Sequence, residues 1–115
     1  MDSEAIQDLF QELGTVRVRR MFGGQGIYLN DRMFGLVAAD ELYLKVDDET
    51  RPAYEEAGSR PFLYRQGGKA VAMSYWLMPD PGLEDPSEAA RWGRLALEAA
   101  GRSTATKARK QPKTR

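Results

Sequence analysis

The sequence predicts an α+β fold in two layers, an antiparallel sheet of five to six strands with flanking helices. Three observations carry this. Segments with a period of two are joined by short turn signals, as in hairpins. Three segments with helical spacing stand apart from them. The resulting order, α-β3(4)-α-β2-α, segregates helices from an antiparallel sheet.

Ser3 reads as an N-cap, and Ile6, Leu9, Phe10 and Leu13 follow at helical spacing. The first helix is therefore expected over residues 4–13, with Gly14 as its left-handed end. From Thr15 the period changes to two: Val16 and Val18 face one way, Arg17 and Arg19 the other. That alternation puts Arg20 on the apolar face. It predicts either a bulge or a partly buried, paired arginine. Glycines at 23, 24 and 26 favour a bulge or sharp bend. Gly26–Leu29 and Arg32–Ala38 read as a hairpin about Asn30-Asp31, and Asp40-Glu41 turns into Leu42, Leu44 and Val46.

Asp47, Asp48 and Glu49 open a second helix, with Ala53, Tyr54 and Ala57 inward and Gly58 at its end. Pro61–Arg65 and Ala70–Met78 read as strands about a Gly67-Gly68 turn. Pro79, Pro81 and Gly82 then break the pattern. Asp85, Pro86 and Glu88 start the last helix, Trp92, Leu95, Ala96 and Ala99 form one face, and Gly101 is its expected end. One domain is expected over residues 1–101. A basic, disordered tail is expected over 102–115, which has no large apolar residue to offset ordering entropy.

The chain has 115 residues, which bounds it to one core. It has no cysteine and no histidine, so thiolate nucleophiles, histidine bases and most zinc, haem and iron–sulfur ligation are excluded. The start, Met1-Asp2-Ser3-Glu4, is acidic and lacks the apolar segment of a signal peptide. No apolar run approaches the roughly 20 residues that cross a bilayer. A cytoplasmic protein without membrane contact is expected. The zero net charge hides an asymmetry: Arg102, Lys107, Arg109, Lys110, Lys113 and Arg115 give the tail six positive charges and no acid. The other 101 residues hold 11 basic and 17 acidic side chains.

Few residues offer chemistry. Ser74 lacks a base and reads as a strand residue. Asp47, Asp48 and Glu49 are suitable ligands for a hard cation, but they read as acids on a helix N-terminus. Gly23-Gly24-Gln25-Gly26 leads into a strand, unlike a dinucleotide loop, and reads as a corner. Arg17, Arg19 and Arg20 near Tyr28 or Tyr43 form either a basic, aromatic patch for nucleic acid or a solvated strand face that protects an edge. The tail is either a solubilising end or a weak, sequence-independent DNA tether. No catalytic residue, metal or cofactor is expected.

The run Arg19-Arg20-Met21-Phe22-Gly23-Gly24-Gln25-Gly26-Ile27-Tyr28 resembles the N-terminal domain of the TfoX/Sxy family of bacterial competence regulators. The resemblance continues through Phe34-Gly35-Leu36-Val37, Leu42-Tyr43-Leu44-Lys45-Val46-Asp47, Pro61-Phe62-Leu63-Tyr64 and Met73-Ser74-Tyr75-Trp76-Leu77-Met78-Pro79. It covers about residues 4–100, ending with the Trp92-to-Ala100 helix. It implies a sheet flanked by helices, like that of type III secretion chaperones, and a non-enzymatic role. Regulators of the family promote DNA-uptake genes as coactivators with the cyclic-AMP receptor protein. They carry a second, helical C-terminal domain, to which the residues after Gly101 show no counterpart.

The expectation is a regulatory or adaptor domain that binds a protein partner, such as a transcription factor, as a monomer or homodimer. The alternative is a ligand- or peptide-binding module. The expected contact residues are Arg19, Arg20, Met21, Phe22, Gly23, Gly24, Tyr28, Tyr75 and Trp76.

Overall fold

The computed structural model describes residues 1–21 and 23–110; at 65–66, 71–72 and 104–110 it describes the backbone alone. The elements run α1 (Ser3–Leu9), β1 (Arg17–Met21), β2 (Gly24–Leu29), β3 (Arg32–Ala38), β4 (Glu41–Lys45), α2 (Arg51–Glu56), β5 (Pro61–Gln66), β6 (Lys69–Leu77), α3 (Asp80–Glu84) and α4 (Pro86–Lys110). Six strands form one antiparallel sheet in the order β1-β2-β3-β4-β6-β5. The α+β expectation therefore holds, with six strands and four helices among the described residues. The short α3 occupies the stretch that Pro79, Pro81 and Gly82 were expected to leave irregular.

Three two-residue turns set the meander. Asn30-Asp31, Ala39-Asp40 and Gly67-Gly68 all take positive φ at both positions, the geometry that matches strand twist. The second turn sits one residue earlier than the Asp40-Glu41 turn expected from the sequence.

The described helices pack on one face of the sheet. Phe10, just past α1, meets Phe34 of β3 edge-on at 5.3 Å. Tyr54 of α2 lies 4.8 Å from Trp92 of α4 and 6.5 Å from Trp76 of β6. Ile27, Val37, Leu42, Leu44 and Val46 complete this core from the strands. Strand alternation sends Tyr43, Lys45 and Tyr75 to the other face.

Four local expectations are corrected. Asp2, not Ser3, caps α1, accepting a hydrogen bond from Ala5 N–H at 2.8 Å. The α-helix stops at Leu9, and residues 10–13 form turns, not further helix. Second, α2 begins at Arg51 because the Asp47 carboxylate folds the preceding turn, accepting from Glu49 and Thr50 N–H at 3.1 Å each. Third, neither alternative for Arg20 occurs. The β1·β2 register is unbroken from Arg17↔Tyr28 to Met21↔Gly24, and Arg20 is exposed. Its strand is an edge and the helix layer ends short of it, so no core exists there to bury it. The register shift lies instead between β2 and β3, at Ile27/Tyr28.

Fourth, the last helix does not stop at Gly101. It continues to Lys110. A glycine inside a helix costs about 1 kcal/mol, and propagation from the preceding turns is cheap once the helix is nucleated. Arg102 adds an anchor: its Nε donates to Asp47 Oδ2 at 2.6 Å and its Nη2 to Oδ1 at 3.2 Å. Arg102 is thus a packed helix residue and not part of a free tail.

Candidate functional site

The surfaces able to meet a partner follow from where the helix layer stops. On the helix-free face, Met21 of β1, Tyr28 of β2 and Met33 of β3 converge over Gly26. A Cβ at Gly26 would lie 2.8 Å from Met21 Sδ, 3.1 Å from the Tyr28 ring and 3.4 Å from Met33 Cε. The missing side chain lets these three lie down into a low floor. Arg17 stands opposite Tyr28 in the ladder. The Arg19 guanidinium lies 5.8 Å from the Tyr28 ring centre. Further along the face, Lys45 Nζ sits 5.3 Å from the Tyr75 ring and donates to Ser74 Oγ at 2.8 Å. Burial pushes the Tyr75 hydroxyl up from its ordinary pKa, with Tyr28 adding to the shift. At the far end Phe62 folds over Tyr43, with ring centres 4.9 Å apart, and closes that part of the face. The Tyr43 hydroxyl donates to Glu41, which also receives Arg60.

A second concavity lies on the helix side, where the layer ends. It is an open cleft of about 790 Å³ between the chain start and the β1–β3 corner, with Met1, Asp2, Arg20, Gly24, Val37 and Asp40 among its walls. The Met1 ammonium closes one side through a 2.7 Å ion pair with Asp40. That ammonium holds the Asp40 carboxyl below its ordinary pKa. Gly24 fixes the floor, since a Cβ there would lie 2.3 Å from the Val37 carbonyl oxygen.

The third surface is a two-stranded ribbon. β4 pairs with β6 over Tyr43–Lys45 against Tyr75–Leu77, and Val46 N–H reaches Ser74 O at 2.9 Å. β6 begins at Lys69, so its first half and the β5 residues paired to it extend beyond β4. Leu63, Tyr64 and Met73 on this ribbon are 58%, 50% and 38% exposed.

The nine expected contact residues do not form one site. Arg19, Met21 and Tyr28 share the helix-free face with Tyr75. Arg20, Met21, Gly23 and Gly24 line the cleft at the chain start, Met21 bordering both surfaces. Gly23, exposed with φ +77, forms the corner between them. Trp76 points into the core against Tyr54. Phe22 lies outside the described residues. Of the tail residues, Arg102 is ion-paired as above, with Glu49 also 3.5 Å away. Lys107, Arg109 and Lys110 fall on the backbone of α4, and Lys113 and Arg115 lie outside the described residues. Among the described residues no three acidic side chains converge as a cation site needs. Asp47 is taken up by Arg102, which is the main reason its carboxyl is held below the usual range. No described helix is long and apolar enough to cross a membrane. The hairpin of the ribbon was legible in the sequence, but its overhang and the Lys45–Tyr75 pair were not, because the β4–β6 register joins strands separated by α2 and β5.

The family of the TfoX N-terminal domain matches residues 8–100. The chain belongs to this family. It is 23% identical over 101 residues to Protein Sxy of Escherichia coli (strain K12), covering 88% of this chain and 48% of that protein. It is 30% identical over 73 residues to DNA transformation protein TfoX1 of Aliivibrio fischeri (strain ATCC 700601 / ES114), covering 64% of this chain and 35% of that one. This TfoX_N chain thus spans half or less of the relatives it matches. The matched segment holds the whole sheet and α4 up to Ala100.

Proposed function

We propose that this TfoX N-terminal domain is a cytoplasmic regulatory module that binds a protein partner in transcriptional control of DNA uptake, and acts without catalysis. Family membership supplies the competence context, and one relative is named for DNA transformation. The observation that carries partner binding is the β5–β6 ribbon. A hairpin on its own is marginal in water, and this one runs past its sheet neighbour with apolar side chains outward. β5 is an edge strand, so its outer backbone groups can accept another strand. Residues 60–78 carry Arg60, Arg65 and Lys69 and no acid. The partner segment that fits is extended, apolar on alternate positions and acidic.

The test compares the full chain with a Leu63→Asp/Tyr64→Asp variant as bait in affinity capture from a bacterial lysate. The partner should be captured by the parent and lost with the variant, while circular dichroism and the melting curve stay the same. Equal capture by both, or by neither, would remove the ribbon reading.

A further inference from the structure

The open end of the helix-free face has a chemistry that docking on the ribbon leaves unused. Tyr28 and Tyr75 lie on strands three steps apart in the sheet, a backbone separation of about 14 Å at roughly 4.8 Å per step. Each ring has a cation beside it, Arg19 at 5.8 Å and Lys45 at 5.3 Å. Arg17 adds a third cation directly opposite Tyr28. Its acidic ion-pair partner, Asp31, is 3.7 Å away with both side chains mostly in water, so the pair is weak and readily exchanged. Residues 1–101 carry a net charge of −6, yet this patch gathers cations. Gly26 lets Met21 and Met33 pack close beside the Tyr28 ring.

We propose that this end of the sheet is a platform for single-stranded nucleic acid, with bases stacking on Tyr28 and Tyr75 and phosphates held by Arg17, Arg19 and Lys45. Aromatic rings at a surface, interleaved with basic side chains, accept any base and follow any backbone, and Tyr28 and Tyr75 are half-buried here. Stacked bases of a duplex cannot reach such rings, so single strands are selected. The platform also has a continuation. Ala100 and Ser103 of α4 border the same concavity as Lys45 and Tyr75. The helix therefore leaves the domain at this edge carrying Lys107, Arg109 and Lys110 in its sequence. A protein partner would find rings that are each already paired with a cation.

The test is fluorescence anisotropy of labelled oligo(dT) and oligo(U) with the full chain at low salt. A duplex of matched length and heparin serve as competitors. Saturable binding should be seen, weakening steeply as salt rises. Tyr28→Ala and Tyr75→Ala should each weaken it about ten-fold, in line with the usual stacking contribution. Tyr28→Phe and Tyr75→Phe should bind like the parent, which separates stacking from loss of fold. Arg17→Gln/Arg19→Gln should lower affinity and flatten the salt dependence. Absence of saturable binding overturns the proposal. So does binding that survives both alanine changes and disappears only when Lys107, Arg109 and Lys110 are replaced by glutamine, because the helix end alone would then be a nonspecific polycation. Equal preference for duplex overturns it as well. Loss of protein capture with Tyr28→Ala, without any oligonucleotide binding, would assign the face to a protein instead.

Discussion

Replacing Arg102 by alanine tests whether the end of α4 is docked on the domain. Arg102 makes two charge-assisted bonds to Asp47, at 2.6 and 3.2 Å, with the two side chains 36% and 22% exposed. Exposed pairs contribute up to about 1 kcal/mol, and bonds to more buried charges about 1.5–3. At this intermediate exposure about 1 kcal/mol is expected. For a domain of this size that lowers Tm by about 4 °C. Asp47→Ala removes the same pair and also the acceptor for Glu49 and Thr50 N–H, a capping loss of about 1 kcal/mol more. Its Tm should fall by about 8 °C. A double-mutant cycle isolates the pair, with an expected coupling of about 1 kcal/mol. The pH dependence fixes the sign. The arginine beside Asp47 depresses its carboxyl below 3.8, so the folded state holds fewer protons than the unfolded one. The contribution is full above that ordinary value and is lost as pH falls through the depressed one. The coupling should therefore persist at neutral pH and be lost in acid, as the pH falls through the depressed value. Thermal melts followed by circular dichroism at several pH values read all of this. A zero coupling at pH 7, or one unchanged in acid, would show that the helix end does not rest on Asp47.

Other expectations follow from single contacts. Gly24→Ala should cost about 2–3 kcal/mol, read as a lower urea midpoint, because its Cβ would lie 2.3 Å from a backbone oxygen that cannot move aside. Ala39→Gly should stabilise by about 0.5–1 kcal/mol, since Ala39 holds φ +52 in the β3–β4 turn; an unchanged or lower Tm would contradict it. Tyr54→Phe should be neutral or stabilise by about 1 kcal/mol, because the buried Tyr54 hydroxyl has no hydrogen-bond partner among the described residues. Burial raises that hydroxyl's pKa in the folded state, so stability is full below about pH 10 and falls as pH rises beyond it. Tyr54→Phe should flatten this alkaline loss in urea titrations.

The amino-acid order by itself determined the local alphabet. Alternation in Leu42-Tyr43-Leu44-Lys45-Val46 sets which side chains face the helices, Asn30-Asp31 and Gly67-Gly68 set hairpin turns, and the Asp85-Pro86 start sets α4. These signals are local because propensity and period act over a few residues. The blocks around Met21 to Tyr28 and Leu42 to Asp47 also carried the family. Tertiary structure decided the rest. The neighbour of β4 is β6, a choice made by long-range burial of Trp76 against Tyr54, and it leaves the β5–β6 ribbon projecting. It brings Lys45 beside Tyr75, a pair that no local pattern contains. It also extends α4 past Gly101, because Asp47, distant in sequence, offers Arg102 a partner. Such contacts depend on where elements meet in space, and no window of the sequence contains both ends of them.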